Sequence, residues 1–153
     1  MEITLFMRSR LFSAWTPGIV MLAMCPLALA GAYSWTQAKV SAAINYAGAD
    51  AITAYAPDAF KPGSQAHGVS ASGGRITTVH ASRDYHGQAR VQTRVCWNGT
   101  DRCVPMAGQS LNTQAFKGLD AGKPIYLVHT VLGKGPLPAP LFVKGNVIVW
   151  YDR

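Results

Sequence analysis

Carboxylates are scarce in this 153-residue chain: Glu2 is its single glutamate, and Asp50, Asp58, Asp84, Asp101, Asp120 and Asp152 are its aspartates. Acid–base chemistry of the glycosidase kind needs two carboxyl groups at a set separation, and six scattered aspartates signal no such pair. Histidine is also rare, limited to His67, His80, His86 and His129. There is no H-E-x-x-H, no H-x-H pair and no Cys–His cluster, which leaves a zinc site without a sequence basis. Gly108-Gln109-Ser110 runs on into Leu111-Asn112, so it is not a nucleophile elbow. The 15 glycines never form G-x-G-x-x-G or a P-loop. Thr78, His80 and Ser82 share one strand face, and Leu127, His129 and Val131 another. Each histidine reads as a hydrogen-bonded or exposed side chain, and a hydrolase using His80 and His129 is the least supported function class. No catalytic residue, metal or cofactor is expected.

Helical periodicity is nearly absent too. Between residues 36 and 59 the alanines are interrupted by Tyr46, Gly48, Tyr55 and Pro57, so strands or irregular structure are expected there, with at most one short helix. Residues 60–74 (FKPGSQAHGVSASGG) are small and polar and predict a long mobile loop. From residue 75 onward, apolar and polar residues alternate in short runs. Strands are expected over 75–85, 88–97, 102–106, 111–116, 125–132, 141–143 and 146–151, separated by turn-type residues such as His86-Gly87 and Asn98-Gly99. Short strands at this spacing predict an all-β fold, a small antiparallel β-sandwich.

The first thirty residues have a different character. Arg8 and Arg10 precede a mostly apolar run from Leu11 to Ala30 that ends in Ala28-Leu29-Ala30, the pattern of a cleaved secretory signal peptide. Cleavage is expected after Ala30, with Ala32 as the alternative. An anchoring transmembrane helix is disfavoured because Pro17, Gly18 and Pro26 interrupt the run. A lipoprotein site at Cys25 is disfavoured by the bulky Met24 before it and Pro26 after it. The domain plan is therefore a signal peptide over 1–30 and one globular domain over 31–153. Within that domain, 31–74 holds N-terminal strands and the loop, and 75–153 the β core. No stable membrane anchor is expected once the leader is gone.

Losing the leader leaves two cysteines, Cys96 and Cys103, flanking Asn98-Gly99-Thr100-Asp101. Asn-Gly between two alternating runs is a strong hairpin signal, because both residues tolerate positive φ. A four-residue loop sets Trp97 opposite Arg102 and Cys96 opposite Cys103, close enough for a disulfide after local twist. Alternation puts Ala89, Val91, Thr93, Val95 and Trp97 on the inner face, and Arg90, Gln92, Arg94 and Cys96 on the outer. The disulfide is thus expected outside, near Arg90 and Arg94, contributing about 2–3 kcal/mol by loop closure. Its setting would be an oxidising compartment, in a bacterium the periplasm.

The whole chain carries a formal charge of +7, and residues 31–153 keep twelve Lys and Arg against six Asp, a net +6. The cations are spread singly and form no nucleic-acid motif, so nucleic acid is not an expected partner. An acidic partner in the cell envelope fits better. Two segments read as recognition surface. Gly133 to Pro140 alternates proline with small or apolar residues, predicting a stiff loop with an exposed Leu137. Asn146 to Arg153 is strongly β-prone. Such a strand is normally core, but at a sheet edge it would pair with another chain.

The ordered series Arg94-Val95-Cys96, Arg102-Cys103-Val104, Gly108-Gln109-Ser110, Ala115-Phe116 and the closing Val147-Ile148-Val149 with Arg153 resembles the flagellar protein FlhE family. The resemblance runs from residue 90 to 153, and Trp35 matches in character further upstream. It implies a small periplasmic β protein with one disulfide, carried over to Cys96 and Cys103. It also implies association with flagellar assembly and with limiting proton leakage through the type III export gate, and no enzymatic activity. The expected partners are export-gate or rod proteins, with Arg90, Arg94, Arg102, Lys134 and Leu137 as contact residues. The alternative function is a periplasmic binding or inhibitor module for an envelope enzyme or glycan, which a row of exposed Trp or Tyr on a sheet face would favour. Nothing in the sequence fixes the oligomeric state.

Overall fold

The computed structural model describes residues 33–57 and 71–153. The expected signal peptide and its cleavage site, Cys25, His67 and most of the 60–74 loop lie outside the described residues. Among the described residues ten strands follow in chain order: β1 (Tyr33–Val40), β2 (Ile44–Ala47), β3 (Asp50–Tyr55), β4 (Arg75–Asp84), β5 (Val91–Trp97), β6 (Cys103–Met106), β7 (Ser110–Thr113), β8 (Ile125–Val131), β9 (Gly135–Leu141) and β10 (Lys144–Asp152). The one short helix allowed for near residues 36–59 does not form: the described part of that segment is β1, β2 and β3. No helix among the described residues is long and apolar enough to cross a membrane.

Two four-stranded sheets, β1-β10-β4-β7 and β3-β8-β5-β6, are joined by a two-stranded ribbon, β2-β9, and all pairings are antiparallel. This is the expected sandwich. The inner residues of both sheets meet in one core: Val79, Ala81, Val147 and Val149 from the first, and Val95, Ile125 and Leu127 from the second, with Tyr55 and Phe116. A second core of Ile44, Ala51, Val91, Val131, Leu141 and Val143 lies beneath the ribbon. The ribbon therefore closes one end of the sandwich.

The closing strand is central. β10 pairs with β1 on one side, from Tyr33↔Tyr151 to Val40↔Lys144, and with β4 on the other. Gly145, Val147, Val149 and Tyr151 point inward, and Ile148 and Trp150 outward. It has no free edge, so pairing with another chain through this strand is ruled out.

Two expectations change. The stiff loop over 133–140 is largely strand β9, paired with β2. Proline is tolerated because Tyr46↔Pro136 is a pair in which proline need not donate. Strand 111–116 starts at Ser110 and stops at Thr113, where the Thr113 hydroxyl accepts the Ala115 N–H at 3.1 Å. That local turn carries Phe116, 1% exposed, into the core.

Candidate interaction surface

The hairpin forms as its sequence demands. Asn98 (φ 51°) and Gly99 (φ 135°) take the positive-φ positions, and the Trp97 N–H donates to Arg102 O at 3.0 Å. Cys96 and Cys103, the next pair, are disulfide-bonded with Cα atoms 4.0 Å apart. That pair is the closely spaced, non-hydrogen-bonded kind, which is why the two sulfurs can meet across the strands. Cys96 departs from the expected alternation. It faces outward by register yet is 0% exposed, because Tyr126 and Cys103 flank it on the neighbouring strands.

The three arginines do not converge. Arg94 Nη2 reaches Asp50 Oδ2 at 3.2 Å across the outer face of the second sheet, and the other Asp50 oxygen accepts the Thr130 hydroxyl. With side chains 47% and 41% exposed, the ion pair adds little stability, but it leaves Arg94 partly neutralised. Arg90 precedes β5 at the ribbon end, where its carbonyl accepts the Leu132 N–H at 2.8 Å. Arg102 lies exposed at the hairpin end. A strand of seven residues separates them, about 23 Å. Lys134 is exposed near the ribbon, whereas Leu137 is half-buried against the second core. The expectation of an exposed Leu137 is thus corrected.

What faces out along β9 is the opposite set of residues. Lys134, Pro136, Pro138, Pro140, Phe142 and Lys144 are all exposed, as are Gly135 and Ala139, while Leu137 is half-buried and Leu141 and Val143 are buried. Tyr46, 60% exposed, pairs with Pro136 on the ribbon, and Val40, 58% exposed, pairs with Lys144. The signal that would have found this stripe is the period-2 repeat of proline itself, read as a strand rather than as an extended loop.

The histidines are separated. His80 faces outward from β4, its Nδ1 2.8 Å from Asn112 Oδ1. His129 points inward from β8 and is 0% exposed. Arg83 Nη1 donates to Val91 O at 2.7 Å and to Thr93 Oγ1 at 2.6 Å, and Thr93 Oγ1 lies 2.9 Å from His129 Nδ1. Arginine only donates, so the Thr93 hydroxyl accepts from Arg83 and keeps one further lone pair and its own proton for His129 Nδ1. The His129 Nε2 has no partner among the described residues. Burial first, and the Arg83 charge second, pull the His129 pKa down from 6.5 to about 4. Enclosed and paired in this way, it is a core polar group. No group of three or more His, Cys, Asp or Glu that could hold a metal ion occurs among the described residues.

The outer face of the first sheet presents Ser34, Thr36, Ala38, Thr78, His80, Ser82, Asn112, Asn146, Ile148 and one indole, Trp150. A single aromatic residue is not the row a glycan platform would need.

Comparison with known proteins gives a consistent picture. The profile of the family described as Flagellar protein FlhE matches residues 43–152. Flagellar protein FlhE of Escherichia coli (strain K12) is 37% identical over 59 residues, which make up 39% of this chain and 44% of that protein. The match therefore spans less than half of that relative. A crystal structure of FlhE aligns with a TM-score of 0.64 at 28% identity, covering 81% of this chain and 100% of the other.

Proposed function

The chain belongs to the flagellar protein FlhE family, and on that premise we propose that it is a periplasmic accessory protein of flagellar assembly that acts by binding. It binds or caps part of the type III export apparatus or the rod, and in doing so limits proton leakage. The observation that carries this reading is the family match over 43–152. The signal-peptide pattern over 1–30 and the Cys96–Cys103 disulfide favour an oxidising envelope compartment. The closed sandwich with its stapled hairpin supplies a rigid body, and a rigid body seated over an opening excludes the water chain that protons need. The burial of His129 and its separation from His80 speak for binding over catalysis.

The test is deletion of the gene in its native host, scoring swimming and cytoplasmic pH while flagella are induced. A motility defect or acidification, restored by the exported protein and not by a version lacking residues 1–30, is expected. Normal swimming and normal pH in the deletion strain would overturn the proposal. Charge reversal at Arg90, Arg102 and Lys134 is expected to reproduce the defect with folding intact, while Leu137, half-buried against the second core, offers a smaller contact area than its sequence suggested.

A further inference from the structure

The stripe along the ribbon is the most unusual surface of the molecule. From Pro136 to Phe142 the outward positions are all apolar, over about 20 Å at strand spacing. Lys134 and Lys144 stand at its two ends in the same alternation. Four of the five most exposed large apolar side chains among the described residues (Val40, Tyr46, Leu132 and Phe142) gather at this end of the sandwich. The fifth, Ile52, is on the second sheet. Exposed apolar groups clustered in this way mark a contact surface.

The chemistry of the stripe narrows its partner. Pro136 stands opposite Tyr46 in a pair that leaves its nitrogen on the free side of β9, and Pro138 and Pro140 follow at the same parity. The free edge of β9 therefore offers no N–H at these positions, and a partner cannot add a strand there. The stripe contains no carboxylate, and the nearest one in register is Asp84 opposite Lys144. Asp50, at the start of β3, is already engaged by Arg94 and Thr130. An apolar ridge with an exposed tyrosine, bracketed by lysines on a domain of net +6 over residues 31–153, matches the layering of a bilayer surface. Proline and phenylalanine would enter the headgroup boundary, and the ammonium groups would reach phosphate.

We propose that the stripe Lys134, Pro136, Pro138, Pro140, Phe142 and Lys144, together with Tyr46, docks this protein peripherally on an anionic phospholipid surface. This goes beyond the flagellar reading and takes from it only export to the periplasm.

The test is cosedimentation of the exported protein, purified from the periplasmic fraction, with vesicles of phosphatidylcholine alone or mixed with phosphatidylglycerol. Binding to the mixed vesicles, weakened by added salt, is expected. Lys134→Gln and Lys144→Gln should each lower the partition coefficient about fivefold, and Phe142→Ser about tenfold. Lys117→Gln, an exposed cation beside Ile76 at the end of the first sheet away from Lys144, should change it little. The lysine variants alter exposed side chains and keep the test valid if Phe142→Ser unfolds. Absence of phosphatidylglycerol-dependent binding, or equal losses for Lys117→Gln and the stripe variants, would overturn the proposal. If vesicles are not bound but the stripe variants still abolish complementation of swimming, the surface serves a protein partner: the lipid proposal then fails and the flagellar one stands.

Discussion

Among the described residues, the fully buried Tyr55 and His129 each carry a polar atom with no hydrogen-bond partner, and each makes a measurable claim. Tyr55 is 0% exposed, its hydroxyl has no partner among the described residues, and burial pushes its pKa up to about 12. Gly145 faces it so closely that an added Cβ would collide with the Tyr55 Oη and the Leu127 side chain. Gly145→Ala should therefore cost about 1–3 kcal/mol, and Tyr55→Phe should be neutral or stabilising by up to about 1 kcal/mol. Combining them should recover part of the Gly145 loss, read from urea midpoints in a double-mutant cycle; strict additivity would refute the collision. His129 makes the second claim. Its folded pKa of about 4 lies below the ordinary 6.5, so between those values the unfolded chain holds the extra proton and stability rises with pH. Unfolding free energy should be about 2 kcal/mol lower at pH 5 than at pH 7, and His129→Gln should flatten that slope. An unchanged slope in the variant would place the titration elsewhere. The pairing of His129 with Thr93 was not legible in the sequence, because its neighbours come from β4 and β5, and face parity says nothing about which sheets will meet.

Strand β9 shows how one period can be misread. Proline at alternate positions suits an extended loop as well as an edge strand, since both tolerate a missing donor. What decides for the strand is β2, whose Ile44, Tyr46 and Ala47 lie beside it but whose own sequence is too short to announce a partner. Once paired, the prolines protect the free edge. Replacing Pro136, Pro138 and Pro140 together by valine should restore three N–H donors and drive self-association, seen as a concentration-dependent shift in sedimentation velocity. A variant that sediments as its parent does at every concentration would show that the edge is guarded by something else. The opposite open flank is treated differently: Lys39 Nζ caps Ala54 O at 2.7 Å, and Gln37 Oε1 accepts the Ala56 N–H at 3.0 Å. There, side chains of β1 occupy backbone groups at the end of β3 and just beyond it.

At the scale of the whole molecule, closure depends on strands far apart in the chain. β1 pairs as a strand with β10, the last strand of the chain, where the Tyr33 and Tyr151 rings stack with centroids 5.7 Å apart. The disulfide, by contrast, spans a sequence separation of 7 within one hairpin and ties no sheet to the other. Replacing Cys96 and Cys103 by alanine should therefore leave the fold intact while lowering stability by about 2–3 kcal/mol, measured as a shift in denaturant midpoint with an unchanged slope. Loss of the cooperative transition would show that the hairpin organises the sandwich rather than merely stiffening it. The sequence by itself determined the all-β class, the hairpin with its register and disulfide, and the inner face of β5, because turn chemistry and period-2 burial act over neighbouring residues. Tertiary structure alone decided that Cys96 is enclosed, that Arg94 is paired, that the arginines lie apart, and that the prolines rather than Leu137 face solvent. Each of these depends on which strand lies alongside, and strand pairing is set by burial summed over the whole chain.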